Sequence, residues 1–192
     1  FNNTIVENYT LNILNEEYVF NGGGVISADF DNDGLIDLFF SGNQKPNKLY
    51  LNKGNFNFKD ISLISNIEAL DKWSTGLTYT DINNDGLIDI YVCAAMKKEN
   101  RNNMMFVNKG LDKSTGEILF EEMAKEYGID DSGNSMGAVF FDYNKDGHLD
   151  LYVLNNEQNK SIPTNYRKKI IDGSAVSNDK LYKNNGNGTF TD

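Results

Sequence analysis

One nine-residue pattern, Asp-x-Asp/Asn-x-Asp-Gly-x-x-Asp, occurs three times in this 192-residue chain. It puts side-chain oxygens at loop positions 1, 3, 5 and 9. These are Asp29, Asp31, Asp33 and Asp37 in the first loop, Asp81, Asn83, Asp85 and Asp89 in the second, and Asp142, Asn144, Asp146 and Asp150 in the third. A glycine stands five residues ahead of each loop (Gly24, Gly76, Gly137), and apolar residues flank it on both sides. The first aspartates are 52 and 61 residues apart, so the chain reads as three repeats of one unit.

An Asp/Asn/Gly-rich hairpin turn with no metal is the simplest alternative, because these residues are ordinary turn formers. A turn needs one or two of them, however, and the first loop converges four carboxylates. Two carboxylates about 4–5 Å apart repel by roughly 3–4 kcal/mol at an effective dielectric of about 20. A cation relieves that repulsion. Glycine at position 6 permits the tight wrap, and the backbone carbonyls at position 7 (Leu35, Leu87, His148) add a hard oxygen. Calcium, with six to eight oxygens, suits this shell better than rigidly octahedral magnesium. The expectation is three Ca²⁺ sites. An EF-hand is excluded, because position 12 is Phe40, Val92 and Val153 rather than Glu and lies in strand-like runs.

A second element follows each loop: Asn47-Lys-Leu-Tyr-Leu-Asn-Lys-Gly54, Met104-Met-Phe-Val-Asn-Lys-Gly110 and Asp179-Lys-Leu-Tyr-Lys-Asn-Asn-Gly186. Each ends in a glycine turn and a short apolar run. Lengths, β-branched and aromatic enrichment, and Gly/Asn/Asp punctuation give four short strands per repeat, near 25–30, 36–41, 48–52 and 56–61 in the first. Helical turns are expected near 63–72 and 122–128. The chain is therefore expected to be all-β, with about three four-stranded antiparallel blades of a propeller. The expected layout is a lead-in over 1–20, blade 1 over 21–62, linker and blade 2 over 63–123, and linker and blade 3 over 124–192 with an insertion at 155–178. The first residue is not Met and the last blade stops at its fourth strand, so the expectation is either an excerpt of a longer propeller or a chain whose missing blades come from elsewhere.

The loops, the leading glycines and the strand-three segments resemble FG-GAP/VCBS repeats, the calcium-binding blades of integrin-α-type propellers. The variant is similar to the ASPIC/UnbV and cartilage-acidic-protein type. The resemblance covers about 21–192 and implies a seven-bladed propeller, structural calcium and an extracellular or cell-surface location.

Charge and composition narrow the function. Lys and Arg total 18 against 28 Asp and Glu, a net of −10, which disfavours nucleic acid. No apolar run is long enough for a membrane span. Cys93 is the single cysteine and His148 the single histidine, so disulfides, Cys/His zinc sites and Ser-His-Asp triads lack material. Cys93 is expected in the core, and Trp73 is expected to pack between blades. Two basic clusters, Lys97, Lys98 and Arg101, then Arg167, Lys168 and Lys169, fall between second and third strands, on the face expected to lie opposite the metals. The reading is a calcium-stabilised propeller segment of a secreted or surface protein. It serves binding or adhesion, with an unknown protein or anionic glycan ligand on that opposite face. The alternative is a non-catalytic or partial catalytic propeller of a secreted polysaccharide-acting enzyme, although no acid/base pair stands outside the loops.

Overall fold

The computed structural model describes residues 1–97, 99–156 and 170–192. It holds three four-stranded antiparallel sheets. The first contains β1 (Val25–Ala28), β2 (Asp37–Phe40), β3 (Lys48–Asn52) and β4 (Phe58–Asp60). The second contains β5 (Ser74–Thr80), β6 (Asp89–Ala94), β7 (Met104–Leu111) and β8 (Ile118–Glu122). A one-turn helix α1 (Ala124–Tyr127) leads to the third, with β9 (Ser135–Phe141), β10 (Asp150–Asn155), β11 (Lys180–Asn184) and β12 (Phe190–Thr191). Within each sheet spatial order follows chain order, so each repeat is one up-and-down blade. The three repeats expected from the sequence are therefore three propeller blades, and the last is completed by a two-residue fourth strand.

Side-chain alternation explains how the blades stack. On β6, Ile90 and Val92 join a cluster with Ile26, Phe39 and Leu49 of the first blade, while Tyr91 and Cys93 face Leu151, Val153 and Tyr182 of the third. On β7, Met104 and Phe106 face the first blade, and Met105 and Val107 the third. The middle blade is thus apolar on both faces. At about 1.5–3 kcal/mol per fully buried large side chain, this stacking is the main cohesive term. Cys93 lies in that core, where burial pushes its thiol pKa far up.

Strand β1 lies against β5, and β5 against β9. The leading glycines make this approach possible. A Cβ on Gly24 would meet the Leu77 side chain at 2.8 Å, and one on Gly76 would sit 2.4 Å from the Met136 carbonyl oxygen. Gly137, in the same place on the third blade, has nothing within 4 Å.

Two expectations need correction. The 63–72 segment is a run of turns, not a helix: Asn66, Ala69 and Asp71 have φ of 59°, 49° and 65°, which breaks a right-handed helix. The 122–128 turn does form, as α1, and ends on left-handed Gly128. Trp73 is not part of the two inter-blade clusters. It packs with Val19 of the lead-in and with Ala95, bordered by Met96 and Met136, at the end of the blades away from the Asp loops. The lead-in is fixed there by paired hydrogen bonds: Asn3 Nδ2 donates to Asn43 Oδ1 at 2.6 Å, and Val6 N to Gln44 Oε1 at 2.7 Å.

Candidate metal centres

The three Asp loops are the β1–β2, β5–β6 and β9–β10 connections, so all lie at one end of the blades. Each is wound by the same hydrogen bonds. The position-1 carboxylate accepts from the position-5 and position-6 amides, at 3.1 and 2.9 Å for Asp29, 3.0 and 2.8 Å for Asp81, and 3.1 and 2.9 Å for Asp142. Position 5 accepts from the position-7 amide: Leu35 N to Asp33 at 2.8 Å, Leu87 N to Asp85 at 2.9 Å and His148 N to Asp146 at 3.0 Å. Position 4 is left-handed in every loop (Asn32, Asn84, Lys145), as is the glycine at position 6, with φ of 86°, 83° and 87° for Gly34, Gly86 and Gly147. A Cβ is unfavourable at the latter angles, which is why glycine recurs there.

The position-9 aspartates are buried beneath the loops, and both oxygens of each accept backbone amides. Asp37 takes Phe30 N and Asn52 N, Asp89 takes Ile82 N and Asn108 N, and Asp150 takes Tyr143 N and Asn184 N, at 2.8–3.1 Å. These carboxylates tie each loop to strand three of its own blade. Burial raises the carboxyl pKa of Asp37, against the amides of Asn52 and Phe30, with repulsion from Asp31 and Asp33 adding to it. The same cause pushes Asp89 up to about 6. The His148 amide, and then Asn144, hold exposed Asp146 below its usual range.

The donor set of the first loop fits a hard cation, and among the described residues only there do three carboxylates converge. In the first loop, one oxygen each from Asp29, Asp31 and Asp37 lie within 4.8 Å of one another, a separation that ligands about 2.3–2.6 Å from one ion can span. The other two loops carry Asn at position 3. Its Oδ1 remains an oxygen donor, while its Nδ2 donates to position 5, Asn83 to Asp85 at 2.9 Å and Asn144 to Asp146 at 2.8 Å. In the first loop Asp31 has no such amide; Lys53 Nζ lies 3.4 Å from its Oδ2 instead. The ring of His148 is exposed beside a small cleft between the second and third loops.

Asn52, Asn108 and Asn184 were not singled out as site residues by the sequence reading. Each supplies the amide that fixes a position-9 aspartate, and each side chain accepts from the glycine two residues on, at 2.9 Å. A signal existed: the repeated Asn-x-Gly that ends each strand-three element, read there only as a turn.

The expected basic face is only partly within the described residues; Lys98, Arg167, Lys168 and Lys169 lie outside them. Lys97 Nζ donates to the Asp71 carbonyl at 3.0 Å, and Arg101 Nε to the Ser132 carbonyl at 2.6 Å. The connection after β6 is thereby stapled to the linkers on either side of the middle blade.

The model of the FG-GAP-like repeat family matches residues 29–92 and 81–153, which include all three Asp loops. Cartilage acidic protein 1 of Mus musculus is 28% identical over 144 residues, covering 71% of this chain and 21% of that protein. The Homo sapiens protein of the same name is 27% identical over 139 residues, with 71% and 20% covered. A T-cell immunomodulatory protein homolog of Plasmodium yoelii yoelii is 27% identical over 199 residues, covering 92% of this chain and 25% of that protein. The chain therefore spans a quarter or less of the length of these relatives. Among the described residues no helix is long and apolar enough to cross a membrane.

Proposed function

The chain belongs to the FG-GAP-like repeat family, and from that premise we propose that it is a calcium-stabilised segment of a larger propeller, serving binding or adhesion in an extracellular or cell-surface protein. The observation that carries the reading is the repeated loop geometry. Three loops share one backbone path and carry side-chain oxygens at positions 1, 3, 5 and 9, and in the first loop oxygens of Asp29, Asp31 and Asp37 lie within 4.8 Å of one another. Asp29, Asp31, Asp33, Asp37 and the Leu35 carbonyl would hold the first ion. Asp81, Asn83, Asp85, Asp89 and the Leu87 carbonyl would hold the second, and Asp142, Asn144, Asp146, Asp150 and the His148 carbonyl the third. Calcium supplies countercharge for ten loop carboxylates. Its role is structural: it fixes the loops, and the loops fix strands one to three of each blade.

The names of the relatives, a cartilage protein and an immunomodulatory protein homolog, fit an extracellular setting, where calcium is abundant. The ligand surface in this reading is the end of the blades away from the metals, where the 95–103 connection carries Lys97 and Arg101. The partner class is a protein or an anionic glycan.

Thermal unfolding with and without a chelator tests the calcium reading. At free calcium about tenfold above a typical extracellular dissociation constant, each site contributes about 1.4 kcal/mol and three about 4 kcal/mol. For a chain of this size that is a fall of about 10 °C on chelation. An unchanged melting temperature would contradict it.

A further inference from the structure

We propose that Asn108 is a positioning residue that couples the first two metal loops, so that calcium at either tightens binding at the other, while the third loop binds independently. The inference rests on the calcium reading above and concerns how the sites communicate. Asn108 is fully buried between the first and middle blades. Its backbone N–H donates to Asp89 Oδ1 at 2.8 Å, in the second loop. Its side chain crosses to the first loop, where Nδ2 donates to the Phe30 carbonyl at 2.9 Å. Phe30 N in turn donates to Asp37 Oδ2 at 2.9 Å. The two buried position-9 carboxylates are thus ends of one chain of hydrogen bonds, Asp89 to Asn108 to Phe30 to Asp37. A second bridge runs along the rim, from Asn32 Nδ2 to the Gly86 carbonyl at 3.2 Å.

Asn108 Nδ2 also donates to the Ile88 carbonyl of its own loop at 3.4 Å, and its equivalents make that bond without the crossing one. Asn52 donates to Ile36 O at 3.0 Å and Asn184 to Leu149 O at 3.1 Å, each inside its own loop. Between the second and third loops there is instead a cleft of about 50 Å³, bordered by Asp81, Asn84, His148 and Asn184. An ion in the second loop fixes Asp89, and hence Asn108 and the Phe30 peptide between Asp29 and Asp31. The first loop then has less order left to lose when it binds, and the effect is reciprocal. Hydrogen bonds of this kind correspond to a coupling of about fivefold in affinity.

Calcium titration calorimetry on the whole chain tests this. Asp146→Ala leaves the first two loops, and its isotherm should be cooperative, the second ion binding about fivefold tighter than an independent pair would allow. Asp33→Ala leaves the second and third loops, and its two ions should bind independently. Adding Asn108→Leu to Asp146→Ala should lower the cooperativity from about fivefold to under about twofold while two ions still bind. Adding Asn32→Gly, which keeps the left-handed backbone and removes only the rim bridge, should reduce it and carries the test if the Leu variant does not fold. A merely structural Asn108 would lower the melting temperature and leave the isotherm cooperative. Independent binding in Asp146→Ala, or cooperativity equal in Asp33→Ala, would overturn the coupling while sparing the calcium reading. Failure of the parent chain to bind calcium would overturn both.

Discussion

The middle and third blades have the same four-strand plan but different surroundings. Every residue of β6 is buried, whereas on β10 and its neighbours only one face is covered. On the other face Val139, Leu154 and Leu181 are 47%, 46% and 37% exposed, and Tyr152 pairs with Val139 and Leu181 on that same side. A blade of this type therefore owes its core to its neighbours rather than to itself. It also shows that the apolar run over 90–95 is continuous because both of its faces are covered, not because it is a different kind of strand.

The largest effect is expected in the cores. Ile90→Ala should cost about 3 kcal/mol in denaturant unfolding, since the side chain is fully buried between blades. Leu154→Ala should cost under about 1 kcal/mol in the same assay. Equal costs would mean that the outer face of the third blade is covered in solution. The leading glycines sharpen the point with a smaller effect. Gly76→Ala forces a methyl against the Met136 carbonyl and should destabilise by about 2 kcal/mol. Gly137→Ala meets open space and should change stability by no more than about 0.5 kcal/mol. A large loss at Gly137 would again reveal a neighbour.

The smallest effect compares the loops of the first and middle blades. Lys53→Ala removes the cation beside Asp31 and should destabilise calcium-free protein by less than about 1 kcal/mol, the usual value for a partly exposed pair. Lys109→Ala should do less, because Lys109 pairs with exposed Glu121 and its loop carries neutral Asn83 where the first loop has Asp31. A larger loss at Lys109 than at Lys53 would refute this difference between the two loops.

Most of the fold was legible because two signals agree in every repeat: alternation along the strands and Asp/Gly punctuation between them. The second strand expected at 36–41 is found as β2 at Asp37–Phe40, within the usual uncertainty of strand ends. The helical turn expected near 63–72 gives way to left-handed residues at Asn66, Ala69 and Asp71, with Ile67 and Ala69 against the first inter-blade core, a tertiary setting that no propensity reveals. The loop positions and their shared backbone path were legible from spacing alone. The supports were not: Asn108 lies 78 residues from the Phe30 carbonyl it bonds, and local patterns carry no such distance. Lys97 and Arg101 read as free cations in sequence, yet both reach carbonyls on adjacent linkers.

Counting bound ions is the decisive experiment for the three proposed calcium loops. Metal analysis of the whole chain at saturating calcium should find three ions in the parent and two in each of Asp33→Ala, Asp85→Ala and Asp146→Ala. A parent that holds none, or three single variants that each still hold three, would contradict that proposal.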